Sequence, residues 1–383
     1  MKPKLRFKEF NSDWNTYKFY ELVTIKNGQV DPNDEQYRNL PHIGPGNIEK
    51  ETGRLLEYNL AKDDKLVSSK YLFDKESVIY GKINPHFAKV CYPKFVGLCS
   101  ADAYPINPIK GKLTSEFLLY LLLNPQFTKF ATSVSMRTGM PKINRDELSI
   151  YKFTIPEIAE QNKIGNMLTL LDKKIELQTK KIEDLKLFKK GLHNKLFNET
   201  NGENYLLYNI AQFENGKGHE NIVDENGNYI LINSKFISTD GNVFKNCNEQ
   251  LTPLYKEDIT MVMSDLPNGK ALAKCYYIES DNKYSLNQRI CRINIKNKEK
   301  FNSKYLFYIL NRNPYYLKFD DGVNQTNLKK DDILKINLNI PDKTIQDKNA
   351  NILTLIDKII IKELSKLDSL NSLKKGLMQN MFV

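Results

Sequence analysis

The sequence predicts an α/β (α+β) protein assembled twice over. Two globular domains are separated by two long helices forming an antiparallel coiled coil, with a pseudo-two-fold internal repeat. Three observations predict this. Residues Ile155 to Phe197 align with Ile340 to Phe382 without a gap. They share Ile-Pro at 155–156 and 340–341, Gln161 with Gln346, Leu168-Thr169-Leu170 with Leu353-Thr354-Leu355, Asp172-Lys173 with Asp357-Lys358, and Lys189-Lys190-Gly191-Leu192 with Lys374-Lys375-Gly376-Leu377. A repeat of this length means two copies of one module. Both segments place apolar residues at 3,4 spacing, and the stretch before each mixes short strand and helix patterns.

The first domain occupies residues 1–154. Val78-Ile79-Tyr80-Gly81-Lys82-Ile83 reads as a strand, β-branched and aromatic. Ser115 to Leu123 reads as a helix stopped by Asn124-Pro125. Residues 155–198 form the first spacer helix. The polar stretch Asn198-Glu199-Thr200-Asn201-Gly202-Glu203-Asn204 marks the boundary between the halves. The second domain occupies 199–339. Its strand Ile259-Thr260-Met261-Val262-Met263 and its helix Ser303 to Leu310, stopped by Asn313-Pro314, echo the first domain, as Asn215-Gly216 echoes Asn27-Gly28. The middles of the two domains share little, so a common scaffold with unlike surfaces is expected. Residues 340–383 form the second spacer helix.

The seam of the first helix runs through Leu168, Leu171, Ile175, Gln178, Ile182, Leu185, Lys189, Leu192 and Leu196. The second copy gives Leu353, Ile356, Ile360, Glu363, Leu367, Leu370, Lys374, Leu377 and Met381, with polar breaks at the same two places. A helix of about 40 residues rises roughly 60 Å and a seam that long needs a partner helix. Parallel pairing would set Lys189 against Lys374. Antiparallel pairing, with Lys189 facing Glu363 and Lys374 facing Gln178, replaces that repulsion with an ion pair and is favoured. Such a pair would hold two reading heads a set span apart, and duplex DNA, with an equivalent groove face about every 34 Å, suits that geometry.

Composition points the same way. The net charge is +11, which favours an anionic partner, most often nucleic acid. The five cysteines include no Cys-x-x-Cys, so neither a disulfide framework nor a zinc site is indicated and a reducing cytoplasm is expected. No signal peptide or membrane span is read. Catalytic signatures are weak. Asn84-Pro85-His86-Phe87 resembles the Asn-Pro-Pro-Tyr/Phe motif of amino-methyltransferases but lacks the second proline. No P-loop occurs, and Gly44-Pro45-Gly46, Gly81-Lys82 and Gly269-Lys270 read as turns. His42, His86, His193 and His219 have no metal-ligand spacing, so no metal site and no catalytic residue is assigned.

In this order the motifs resemble the specificity subunit of a type I restriction–modification system. Pro3-Lys4-Leu5-Arg6-Phe7 leads to Trp14, Leu22 and Asn27-Gly28; Ile155-Pro156, Glu160-Gln161 and Leu171-Asp172 follow; the helix closes with Lys189-Lys190-Gly191-Leu192 and Lys195-Leu196-Phe197. A second cycle passes through Gly322-Val323-Asn324-Gln325-Thr326-Asn327-Leu328 to Ile340-Pro341 and Gln346. Two departures stand out: Ile345 precedes Gln346 where the first copy has Glu160, and the second copy opens with Asn201-Gly202-Glu203 where the first has Trp14.

The resemblance implies two target-recognition domains, each reading one half of an asymmetric bipartite DNA sequence. It implies a spacer that sets the gap and docks modification (methyltransferase) subunits, usually two. It also implies restriction subunits that translocate and cleave. The chain itself would be non-catalytic and bind no cofactor; S-adenosylmethionine, ATP and Mg would sit on partner subunits. Phosphate and base contacts favour Arg, Lys and Gln, so the DNA-binding candidates are Lys82, Arg137, Lys142 and Arg145 in the first domain, and Lys270, Arg289, Gln325, Lys329 and Lys330 in the second. A coiled-coil adaptor with two protein-binding end domains, and a self-sufficient DNA-modifying enzyme, are the rival readings.

Overall fold

The computed structural model describes residues 2–136, 139–198 and 201–383. The chain divides into two units: residues 1–181 with 363–383, and residues 182–362.

In the first unit a four-stranded antiparallel sheet runs in the order Val23–Ile25, Ala103–Pro108, Val78–Gly81, Val90–Cys91. A three-stranded sheet orders His42–Ile43, Gly97–Cys99 and Tyr71–Phe73, its first pair parallel. Asn15–Lys18 pairs with Lys152–Ile155 and closes the domain beside the spacer. The helix Ser115–Leu123 is capped by the Thr114 side chain, and Asn124 caps the next helix, Pro125–Ser135, whose first-turn proline needs no amide partner. Phe117, Leu118 and Leu122 are fully buried in a core that also takes Trp14, Phe19, Phe127, Phe153, Ile164 and Leu168 of the first spacer helix, Met378 of the second, and Phe382 just beyond its end.

The second unit repeats the plan. Its four-stranded sheet orders Ala211–Asn215, Ile290–Ile295, Ile259–Val262 and Cys275–Tyr277. Glu203–Leu206 pairs with Asn337–Ile340 as Asn15–Lys18 does with Lys152–Ile155. The three-stranded sheets differ. Both keep one parallel pair, Tyr229–Ile232 beside Tyr284–Leu286 here, but the third strand, Lys245–Cys247, is added on the opposite edge. The scaffold is thus shared and the middles diverge. The Asn-Gly echo has two physical causes: Gly28 takes a left-handed φ of 84°, whereas a Cβ on Gly216 would lie 2.0 Å from the Asn287 carbonyl oxygen.

The spacer helices span Ile158–Asn198 and Lys343–Asn380. Within each unit their segments run antiparallel. In the first unit Asp172 meets Lys374 and Gln178 meets Glu363. In the second, Lys189 meets Asp357 and the Asn349 amide reaches the Leu196 carbonyl. Leu168, Leu171, Ile182, Leu353, Ile356, Ile360 and Glu363 are buried, and Ile175, Leu185, Lys189, Leu192, Leu367, Leu370 and Leu377 half-buried.

The direction matches expectation, but the register is displaced by about one heptad. Lys189 pairs with Asp357, not Glu363, at 2.5 Å; Lys374 pairs with Asp172, not Gln178, at 2.6 Å. Glu363 instead accepts from the Gln178 amide at 2.7 Å and pairs with Lys181 and Lys366. A slip of seven residues returns every apolar residue to the seam, so the apolar pattern is blind to it. The domains choose the register. Tyr120 donates to Asp172 at 2.9 Å and Tyr308 to Asp357 at 2.8 Å, fixing the carboxylates that the lysines must meet.

The repeated glutamines have matching work. Gln161 donates to the Lys112 and Pro156 carbonyls and accepts from the Thr114 amide. Gln346 does the same with Lys300, Pro341 and Asn302. Each joins a spacer helix to its own domain through a fully satisfied buried amide. Where the copies depart, so do the contacts. Buried Glu160 holds Arg6 through two bonds of 2.8 and 2.7 Å and accepts from the Trp14 indole at 3.3 Å, whereas Ile345 is exposed.

Candidate nucleic-acid interface

Each four-stranded sheet ends its central strand in the same backbone crossing. In the first unit the chain leaves Val78–Gly81 and Lys82 is pinned on both sides: its amide donates to the Asp102 carbonyl at 3.0 Å, and its carbonyl accepts from the Ile143 amide at 3.1 Å. In the second unit Met263 takes that place, donating to Arg289 at 2.9 Å and accepting from Leu328 at 2.8 Å. The crossing segments lead into the short helices Arg145–Ile150 and Lys330–Leu334, whose first residues therefore correspond. The bridge of Ile83 with Lys142 matches that of Ser264 with Asn327. Four positions are thereby equated: Lys82 with Met263, Asp102 with Arg289, Lys142 with Asn327, and Arg145 with Lys330. Gly81-Lys82 is accordingly strand end and crossing, not a turn.

Most sequence-predicted residues gather at these crossings. Lys82 is only 8% exposed, its Nζ 5.0 Å from the Tyr104 ring centre. Burial lowers its pKa, and Lys142 and Arg145 lower it further, against the opposing pull of exposed Asp102. The Arg145 guanidinium lies 5.3 Å from the same ring and donates to the Ile25 and Lys26 carbonyls. Burial raises the Tyr104 pKa. Arg137 lies outside the described residues.

In the second unit, exposed Arg289 has a left-handed φ of 67°, which directs the chain from one strand into the next. Gln325 donates through Nε2 to Ser264 Oγ at 2.7 Å. Lys329 and Lys330 are exposed, Lys330 standing 5.9 Å from the Phe213 ring. Lys270 sits in a turn organised by Asp265, which accepts from the Ala271 and Leu272 amides. Asn268 in that turn donates to Gly322, linking it to the loop that carries Gln325.

The sequence reading missed several features. Tyr104 is one, although its place in the strand Ala103–Pro108 was open to inspection. Lys50 is another, 3.6 Å from the Phe87 ring, with Lys89 nearby; burial and then Lys50 lower the Lys89 pKa. Asn84-Pro85-His86-Phe87 is here a 3-10 turn entered from left-handed Asn84, φ 50°. A cavity of about 390 Å³ in the second unit is lined by His219, Glu220, Val223, Leu231, Asn233, Lys245 and Asn287. His219 has both ring nitrogens engaged, by the Lys217 carbonyl and Ser285 Oγ. Among the described residues no group of three or more His, Cys, Asp or Glu could hold a metal ion, and no helix is long and apolar enough to cross a membrane.

Comparison with known proteins agrees with this doubled plan. A family model described as type I restriction modification DNA specificity domain matches twice, at residues 11–187 and 188–374. The specificity subunit of type I restriction enzyme EcoDI from Escherichia coli is 35% identical over 153 residues, 40% of this chain and 33% of that protein. That of MjaVIII from Methanocaldococcus jannaschii is 27% identical over 49% of this chain and 46% of its own length. The matches thus span less than half of these curated relatives. Among solved structures, a type I restriction-modification S subunit from M. genitalium superposes with a TM-score of 0.68 at 17% identity, over 100% of this chain and 99% of that one. A chain from a study of complex assembly and conformational transition of the type I R-M system gives 0.58 at 13% identity, covering 98% of each.

Proposed function

Because the chain belongs to the family of type I restriction modification DNA specificity domains, of which it carries two copies, we propose that it is the sequence-reading, non-catalytic subunit of a restriction–modification assembly. Each domain reads one half of a bipartite duplex target through its crossing and the loops around it. The observation that carries this reading is the crossing itself: one backbone arrangement, present in both domains and furnished with different side chains. Unlike side chains on a like frame read unlike half-sites. The paired helices set the separation.

Modification subunits dock on the spacer. Leu170, Leu177, Leu187, Phe188, Leu355 and Ile361 are large apolar residues left exposed there, more than a solvated helix pair needs. S-adenosylmethionine, ATP and Mg act on those partners and on restriction subunits, in the cytoplasm.

Co-expression with the neighbouring modification gene, followed by mapping of methylated sites, tests the reading. The expected outcome is methylation at a bipartite sequence with unlike halves, absent without this chain. Methylation at a palindrome, or methylation by the purified chain alone with labelled S-adenosylmethionine, would overturn it. Binding that survives high salt and is not competed by heparin would instead favour the protein adaptor.

A further inference from the structure

The four equated positions differ in chemistry but not in charge. The first unit has Lys82, Asp102, Lys142 and Arg145, three cations against one anion; the second has Met263, Arg289, Asn327 and Lys330, two cations. Each crossing therefore carries two net positive charges, although only the last position keeps a basic residue in both. The charge sits on different strands: Lys82 and Arg289 occupy opposite partners of the same backbone bond.

Among the described residues neither cluster is neutralised by an ion pair. No described ion pair engages Lys82, Lys142, Arg145, Arg289 or Lys330. Lys82 is the most telling member. A lysine as buried as this one normally has an anionic partner, since desolvating an ammonium without one is costly. Here its neighbours are the face of Tyr104, two further cations and the exposed Asp102, with which it forms no described ion pair. Arg145 is held by carbonyls at two of its N–H groups, which orients the guanidinium without a described ion pair.

We propose that each crossing seats one backbone phosphate of the DNA, held by Lys82, Lys142 and Arg145 in the first unit and by Arg289 and Lys330 in the second. The seats rest on the DNA-reading function above and add a chemical role to it. They fix the register of each domain on the duplex and leave base reading to the other side chains of the crossing and its loops. The Tyr104 ring forms the floor of the first seat, its face turned to the two cations.

The test uses the full chain, with its modification subunits, binding its mapped target at 50 to 200 mM salt. Lys82→Met, which installs the residue of the second unit, should reduce the slope of log affinity against log salt by about 0.9, so that affinity falls about 3-fold less across that range. Arg289→Gln should do the same, and the two should add. Thermal stability of Lys82→Met should be unchanged or higher. Combining Lys82→Met and Asp102→Arg with Lys142→Asn rebuilds the charge pattern of the second unit inside the first, two cations and no anion, and should restore the wild-type slope. Slopes unchanged by Lys82→Met and Arg289→Gln, or no rescue by the triple exchange, would overturn the phosphate seats. A wild-type complex with no salt dependence at all would instead remove the DNA reading beneath them.

Discussion

The spacer register makes a sharp prediction about Lys189. Its Nζ lies 2.5 Å from Asp357 Oδ1, with the two side chains 28% and 33% exposed, and Asp357 Oδ2 accepts from the buried Tyr308 hydroxyl at 2.8 Å. A partly exposed pair of this kind contributes about 0.5 to 1 kcal/mol. The hydrogen bond from Tyr308 to a carboxylate adds about 1.5 kcal/mol. Asp357→Ala should therefore cost about 2 kcal/mol and Lys189→Ala under about 1 kcal/mol. The double mutant should show a coupling of about 0.5 to 1 kcal/mol. Lys189 and Glu363 share no partner, so their cycle should close to within about 0.5 kcal/mol. Urea unfolding of the full chain, followed by circular dichroism on one common transition, supplies both cycles. A coupling between Lys189 and Glu363 larger than that between Lys189 and Asp357 would refute the register and the reasoning that the domains select it.

Three further outcomes are expected. Gln346→Ala strands the Asn302 amide and two carbonyls, and should destabilise the second unit by about 1 to 3 kcal/mol, read as a lower denaturation midpoint. Arg6→Ala leaves Glu160 buried with only the Trp14 indole beside it and should cost about 3 kcal/mol, while Arg6→Leu with Glu160→Ile should recover most of the loss. The Gln178 amide, then Lys366 and Lys181, hold the Glu363 pKa at about 2, below its ordinary 4.5. Its stabilisation is therefore complete above about pH 4.5 and disappears as pH falls toward 2, so the stability gap to Glu363→Gln should narrow over that interval and stay constant above it.

Much of the architecture was readable from the repeat because a repeated residue is a repeated contact. Gln161 and Gln346, Asp172 and Asp357, and Lys189 and Lys374 each make the same bonds in their own unit. Helix ends were readable because Asn124-Pro125 and Asn313-Pro314 are local signals. Helix register was not, because heptads are equivalent under a slip and the deciding partners, Tyr120 and Tyr308, come from distant sequence. The candidate interface was readable only as a set of basic residues. Lys82, Lys142 and Arg145 could be named, but the convergence of Lys82 and Arg145 on Tyr104 depends on strand pairing that periodicity does not encode. The correspondence of Asp102 with Arg289 was invisible, since aligned sequence gives no reason to match an acid with a base.

Tyr120 and Tyr308 each belong to a recognition domain yet fix an aspartate whose other oxygen holds a lysine of the opposite helix. A graft that imports a foreign domain but drops this tyrosine would loosen the helix pairing in that unit as well as exchange, under the proposed function, the half-site it reads. Breakpoints for building new specificities therefore belong outside the tyrosine, so that the donor domain travels with its own anchor.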